Sequence, residues 1–146
     1  MKPWVIRAAS WNNPEEQKTL KQIRREVFIE EQGVPESLEW DQFDSVSSHF
    51  LAYQQEQAIG CVRLLPTGHI GRMAVLAKWR RQGVASALLE ACETHARTHD
   101  IPEIRLSAQT QAIPFYKKAG YRIISDPYPD AGILHQDMSK SLRNGH

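Results

Sequence analysis

The chain has 146 residues and a mass of 16.7 kDa, a size that suits one domain with a buried core and leaves little room for a second. Eighteen basic residues against seventeen acidic ones give a formal charge of +1, without the basic excess that a nucleic-acid surface needs. No stretch approaches the ~20 apolar residues of a membrane span, and no long apolar core follows the first charge, so a soluble, cytoplasmic protein without membrane or nucleic-acid partners is expected.

Residues 4–8 alternate weakly and read as a first strand. Asn13 before Pro14 has the pattern of a capped helix start, and Leu20, Ile23 and Val27 carry that helix to about Ile29, with Gly33 and Pro35 ending it. Residues 36–44 hold four carboxylates, Glu36, Glu39, Asp41 and Asp44, and their spacing alone reads as a solvated acidic loop. Residues 49–53 and 58–65 read as the strands of a hairpin, and residues 66–68 turn the chain into an apolar run containing Ile70, Met73, Ala74, Val75 and Leu76. Arg63, His69 and Arg72 read as outward-facing strand residues, of which Arg72 has the best claim to touch a ligand. Cys61 and Cys92 have neither metal-ligand nor C-x-x-C spacing and fall in apolar segments, so buried free thiols and no metal are expected.

From Ala85 the pattern turns helical, with Leu88, Leu89, Cys92 and Ala96 on one face and Pro102 as the stop. Residues 104–108 read as a strand that returns beside the run at 70–76, which requires a right-handed parallel crossover. Residues 109–118 read as a helix with Phe115 on its core face, stopped by Gly120. Residues 121–124 and 132–138 read as the last strands, joined by a stiff proline-rich loop, and residues 139–146 as a polar tail outside a core of about 4–139.

The turn at 80–85 joins strand to helix, and the unpartnered N–H groups of that helix's first turn, beside Arg80 and Arg81, are suited to an anion. Gly83 and Ala85 leave room for a pyrophosphate to approach the backbone. Neither a dinucleotide fingerprint nor a Walker loop occurs. The spacing matches Q/R-x-x-G-x-G/A at Arg80, Gly83 and Ala85, and a second motif, F-Y-x-x-x-G-F/Y, runs through Phe115, Tyr116, Gly120 and Tyr121. In both motifs the chain resembles the GCN5-related N-acetyltransferases, the GNAT family. The resemblance implies an α/β (α+β) fold: a mixed, mostly antiparallel central sheet with a splayed parallel strand pair, flanked by helices. It implies acetyl-CoA as cosubstrate, its pantetheine bonded by the backbone of Met73, Ala74 and Val75. The pyrophosphate would lie on the N–H groups of Arg81, Gln82, Gly83, Val84, Ala85 and Ser86. Gln109 stands where many members have asparagine near the coenzyme, and Tyr116 is implied to protonate the departing sulfur.

Arg24, Val27, Phe28, Glu31, Gln32, Val34 and Pro35 fit the pattern R-x-x-V-F-x-x-E-Q-x-V-P of a bacterial GNAT branch. With Glu39, Asp41 and Asp44, the segment also resembles the amino-terminal part of acyl-homoserine-lactone synthases, although Val34 stands where those have tryptophan. In both groups the region faces the acceptor, so Glu39, Asp41, Asp44 and Arg72 are expected to line its pocket. His135, His49 and Glu31 are candidates for the base, His135 first. The expected function is acetyl transfer from acetyl-CoA to a primary amine, of a small molecule or a peptide, by direct attack in a ternary complex. A lactone-synthase-like acyltransferase and a non-catalytic acyl-CoA-binding module are the alternatives, and a second copy of the chain is a candidate partner.

Overall fold

The structure, a computed structural model, describes residues 4–143. After β1 (Val5–Ala9), the first helix opens as its sequence requires: the Asn13 side chain accepts from the N–H groups of Glu15 at 3.0 Å and Glu16 at 3.1 Å, with Pro14 in the first turn. This α1 (Pro14–Arg24) does not continue to Ile29 as an α-helix. Over Arg25–Glu31 it widens into a π-helix, and the Gln32 N–H reaches back five residues to the Val27 carbonyl at 3.1 Å. The acidic segment folds as a single turn, α2 (Glu36–Glu39), and a 3₁₀ turn over Asp44–Val46.

The hairpin forms as expected from β2 (Ser48–Gln54) and β3 (Gln57–Leu64), and β4 (His69–Val75) follows. Gly68 sets where β4 starts. Its φ of +95° suits glycine, and a Cβ there would lie 2.4 Å from the Glu103 carbonyl oxygen, while its own carbonyl accepts from the Arg105 N–H at 3.0 Å. The crossover helix is α3 (Val84–Thr98), which leads to β5 (Glu103–Gln109). The helix predicted over 109–118 is a 3₁₀ turn followed by α4 (Ile113–Lys118), and Gly120 takes the left-handed stop with φ +100°.

The last part of the chain departs from expectation in two places. The proline-rich loop contains a short strand, β7 (Tyr128–Asp130), between β6 (Arg122–Ile123) and β8 (Ile133–Ser141). Residues 139–142 are not a polar tail: Ser139 is buried opposite Arg105, and Leu142 packs into the core. Pairing with β5 extends the strand past the point where the hydrophobic pattern stops. The end of the predicted tail, 144–146, lies outside the described residues.

The strands form one sheet in the order β1-β2-β3-β4-β5-β8-β6, with β7 on β8, and every pairing is antiparallel except β4 with β5. One face carries the larger core, where Leu88, Leu89, Cys92 and Ala96 of α3 meet Ile59, Ile70, Ile104, Leu106 and Met138. On the other face Leu20, Ile23 and Val27 cover Leu51, Cys61 and Ala74. Both cysteines are buried free thiols.

Candidate active site

The parallel pair is paired at two positions only, His69 with Arg105 and Ile70 with Leu106. Beyond them the strands diverge. Arg72 sits in β4 with φ +50°, and the register with β3 slips beside it, so the strand bulges at the point of divergence. The Leu76 N–H bonds the Ile59 carbonyl at 2.9 Å, so by alternation Ala74 also turns its backbone groups to β3, and Met73 and Val75 turn theirs into the gap. Of the three residues expected to bond pantetheine, two thus face the opening and Ala74 faces away. The gap leads to the turn at 80–85. There Arg81 has φ +62° and Gly83 φ +96°, curling the backbone so that successive N–H groups converge. Among the described residues, the N–H groups of Arg81, Gln82, Gly83, Val84, Ala85 and Ser86 have no partner outside the helix, and the first return bond is from Ala87 to the Gly83 carbonyl at 3.1 Å.

Of the two guanidinium groups at this turn, only that of Arg81 is uncommitted. Arg80 donates through Nε to the Val75 carbonyl at 2.8 Å and forks both nitrogens onto the Glu31 carboxylate at 2.6 Å each. That pairing holds the Glu31 carboxyl below the usual range and makes it a poor base. The next residue, Gln32, accepts from Gln109 Nε2 at 3.0 Å, and Gln109 in turn accepts from Gln111 at 2.6 Å. The end of the π-helix is thereby fastened to both sides of the gap, at the turn and at the end of β5. The sequence signal for this was the Glu-Gln pair in the amino-terminal motif, whose Glu31 the sequence offered as a candidate base and not as a tether.

The acidic segment is the largest departure from expectation. Glu39 and Asp44 are buried, not solvated, and they enclose Arg24. Arg24 donates to Glu39 Oε2 at 2.8 Å and to Asp44 Oδ1 at 2.7 Å, and its guanidinium lies 5.3 Å from the Trp11 ring and 5.1 Å from that of Trp40. Arg63 bonds Asp41 at 2.7 Å and Asp44 at 3.1 Å, and Arg72 contacts Glu39 and Asp41, each at 3.1 Å. Burial alone would push the Asp44 carboxyl up, but the hydrogen bond and charge of Arg24, with Arg63 nearby, hold it below the usual range. Glu39, Asp41, Asp44 and Arg72 do meet in space, as expected of pocket residues. Their charges, however, neutralise one another, because buried carboxylates need partners. Three carboxylates against three guanidinium groups leave the cluster without the net negative charge that its sequence suggested. His49 belongs to the same cluster: it is buried, stacked on Trp11, and its Nε2 donates to the Asp44 carbonyl at 2.8 Å, which removes it from the candidate bases.

Tyr116 packs against the core on the α3 side of the sheet, and His135 stands on β8 opposite the end of β5. Tyr116 packs edge-on against Phe115 and Tyr121, with ring centroids at 5.0 and 5.9 Å. Burial, with the Cys92 thiol nearby, pushes its hydroxyl up, so it keeps its proton near neutral pH. His135 pairs with Gln109 across β5 and β8. Its Nδ1 lies 2.7 Å from the Ile133 carbonyl, which can only accept, so Nδ1 carries the hydrogen and Nε2 keeps its lone pair. On the same strand Asp137 accepts from the Tyr128 hydroxyl at 2.5 Å, and the Tyr128 hydroxyl is also bonded to Ser107. The sequence reading passed over this trio, because Tyr128 stood in a segment read as loop and Asp137 alternated like any strand residue.

The acetyltransferase (GNAT) domain family matches residues 12–142. The uncharacterized N-acetyltransferase YjcF of Bacillus subtilis is 37% identical over 139 residues, covering 92% of this chain and 99% of its own. An acyl-CoA N-acyltransferase of known structure from Pseudomonas aeruginosa superposes with a TM-score of 0.82 at 27% identity, over 94% of this chain and 99% of that one. The CoA-dependent acyl-homoserine lactone synthase BjaI, solved with SAM and isopentyl-CoA, shares the fold with a TM-score of 0.78 at 19% identity, over 96% of this chain and 84% of its own.

Proposed function

We propose, the chain being a member of the GNAT acetyltransferase family, that it transfers the acetyl group of acetyl-CoA to a primary amine, of a small molecule or a peptide, by direct attack in a ternary complex. The observation that carries this reading is the continuous track from the splayed gap between β4 and β5 to the turn at 80–85. Backbone groups of Met73 and the Val75 N–H, turned away from β3, line one end of it, and among the described residues six N–H groups without a partner outside the helix curl around the other. That track fits the coenzyme: its open backbone groups suit an amide-bearing arm, and the curled N–H groups with Arg81 suit a pyrophosphate. Arg80 serves by fixing the turn to Val75 and Glu31, and Gln109 by joining the end of β5 to Gln32.

Bound acetyl-CoA supplies the acyl thioester. Tyr116, protonated near neutral pH, gives its proton to the departing sulfur. His135, whose Nε2 is bare, removes the proton from the acceptor amine, directly or through water. With no nucleophilic side chain called on, the amine adds to the thioester carbonyl, the carbonyl electron pair moves to oxygen and returns as the carbon–sulfur bond breaks, and the departing thiolate takes the Tyr116 proton, without a covalent acyl-protein. The buried network of Arg24, Glu39, Asp41, Asp44, Arg63 and Arg72 fixes the loop that walls the acceptor side.

The test is amine-dependent release of free thiol from acetyl-CoA, with the acetylated amine identified by mass. The parent should turn over without S-adenosylmethionine, and Tyr116→Phe should lose about 10²-fold or more in kcat while keeping its affinity for acetyl-CoA. Thiol release with no amine product, or a Tyr116→Phe variant with parental kcat under single-turnover conditions, would contradict the scheme.

A further inference from the structure

The sheet face toward α1 carries a polar trio beside the point where β4 and β5 part. On β5, Ile104, Leu106 and Ala108 face the core under α3, so by alternation Ser107 faces the other way, and it is the first residue past the last β4–β5 pair. On β8, Met138 faces the same core, so Asp137 and His135 share the face of Ser107. The pairing of Tyr128 with His135 lays its ring along this face. One hydrogen per hydroxyl fixes the direction of the chain of bonds: Ser107 donates to the Tyr128 oxygen, and Tyr128 donates to Asp137 Oδ1 at 2.5 Å. Burial, with the Asp137 carboxylate, pushes the Tyr128 hydroxyl up and keeps it a donor. Asp137 Oδ2 has no partner among the described residues.

An oxygen without a protein partner among the described residues sets Asp137 apart from the other carboxylates packed on or beside the sheet. Glu39, Asp41 and Asp44 pair with arginines, Glu93 with Lys140 at 3.1 Å, and Glu103 with Arg105 at 2.8 Å. Asp137 is half-buried and has no salt bridge among the described residues. The titratable group facing it from β4 is His69. Burial holds that imidazole below the usual range; the Asp137 charge opposes the shift, and Arg63, Arg105 and Arg72 nearby reinforce it, so it stays neutral near neutral pH. A carboxylate oxygen left without a partner at the edge of the gap is open to an incoming cation.

We propose that Asp137, oriented by Tyr128 and Ser107, binds the ammonium group of a basic amine acceptor. This rests on the acyl-transfer reading and names its substrate class. The ammonium on Oδ2 lies beside the splayed gap and two residues along β8 from His135, ~7 Å at ~3.3 Å per residue. A basic alkylamine, a diamine or a lysine side chain fits. An amine with a carboxylate next to it brings like charge against Asp137 and is disfavoured.

Asp137→Asn keeps an oxygen for Tyr128 and removes the charge. Parent and variant are compared with acetyl-CoA and two amines, butylamine, which is cationic at neutral pH, and aniline, which is neutral. The variant should raise KM for butylamine about 10- to 100-fold, the worth of a charged hydrogen bond, with a several-fold smaller change for aniline and a parental melting shift with acetyl-CoA. Equal changes for both amines, or none, would overturn the assignment. Calorimetric binding of butylamine to the protein with coenzyme A bound separates the two readings. Weaker binding in the variant supports the cation site even if no thiol is released, in which case acyl transfer is the reading that fails. Butylamine binding independent of Asp137 sinks the cation site whatever the turnover.

Discussion

Arg24 shows how little of a residue's role its position in a periodic helix can tell. It sits in the last turn of α1 among lysines and arginines that face water, yet it is 1% exposed and holds two carboxylates between two tryptophans. Its partners come from 15 and 20 residues further along, a distance that helical spacing does not reach. The cluster has a pH signature. His49 is buried in it, and burial first, then the charges of Arg24 and Arg63, outweigh Asp44 and hold its imidazole below the usual range. Below the ordinary histidine value of about 6.5 the unfolded chain binds the extra proton and the folded one does not. The stability from neutral His49 is therefore whole above that pH and declines as pH falls toward the folded value. Asp44, depressed in the folded state, adds a loss of the same sign below the ordinary value of about 3.9. The melting temperature should fall between about pH 8 and pH 5, and His49→Gln, which keeps a donor for the Asp44 carbonyl, should flatten that slope. His69 shifts the same way, so some slope remains. A His49→Gln protein with the full parental slope would show that the cluster does not titrate as described.

At the scale of elements, the strand, turn and helix from His69 to Thr98 were legible because period two gives way to period 3.6 at a glycine, and both signals are local. The carboxy-terminal motif was legible for the same reason, with Gly120 in the left-handed conformation its place requires. The π-helix was not, since its residues fit an α-helical pattern and its widening answers to tertiary contacts at Glu31 and Gln32. Strand β7 was hidden by Pro127 before it and Pro129 within it, and the end of β8 by polar residues that pair with β5, Ser139 being buried there. Gly83 gives the element-scale prediction. A Cβ there would meet only the Trp4 ring at 3.5 Å, so there is space, but φ +96° strains a β-branched residue. Gly83→Val should therefore disturb the curl of N–H groups without overpacking. At acetyl-CoA about 100-fold above its Kd the parent should gain about 2.7 kcal/mol, and the variant should lose most of that gain. An undiminished shift in a folded Gly83→Val protein would remove the anion role from the turn.

Across the whole molecule, the amino-terminal part is fastened to both sides of the splayed gap, Glu31 to Arg80 and Gln32 to Gln109, and the Arg24 network holds the segment that follows it. Part of the candidate site was legible. The turn at 80–85 and Tyr116 stand in contiguous motifs, whereas the proposed acceptor face is assembled from β4, β5, β7 and β8, and its charges are decided by which carboxylates find arginines. Glu39, Asp41 and Asp44 find them, and Asp137 does not. The central claim is that the splayed gap and the turn at 80–85 form one track for an acyl-CoA. A crystal structure of the protein with acetyl-CoA tests it most directly. The account predicts the pyrophosphate on the N–H groups of Arg81 through Ser86, pantetheine between β4 and β5 along Met73 and Val75, and the thioester between Tyr116 and the face carrying Asp137 and His135. Acetyl-CoA bound away from the gap, with those N–H groups left to water, would contradict it.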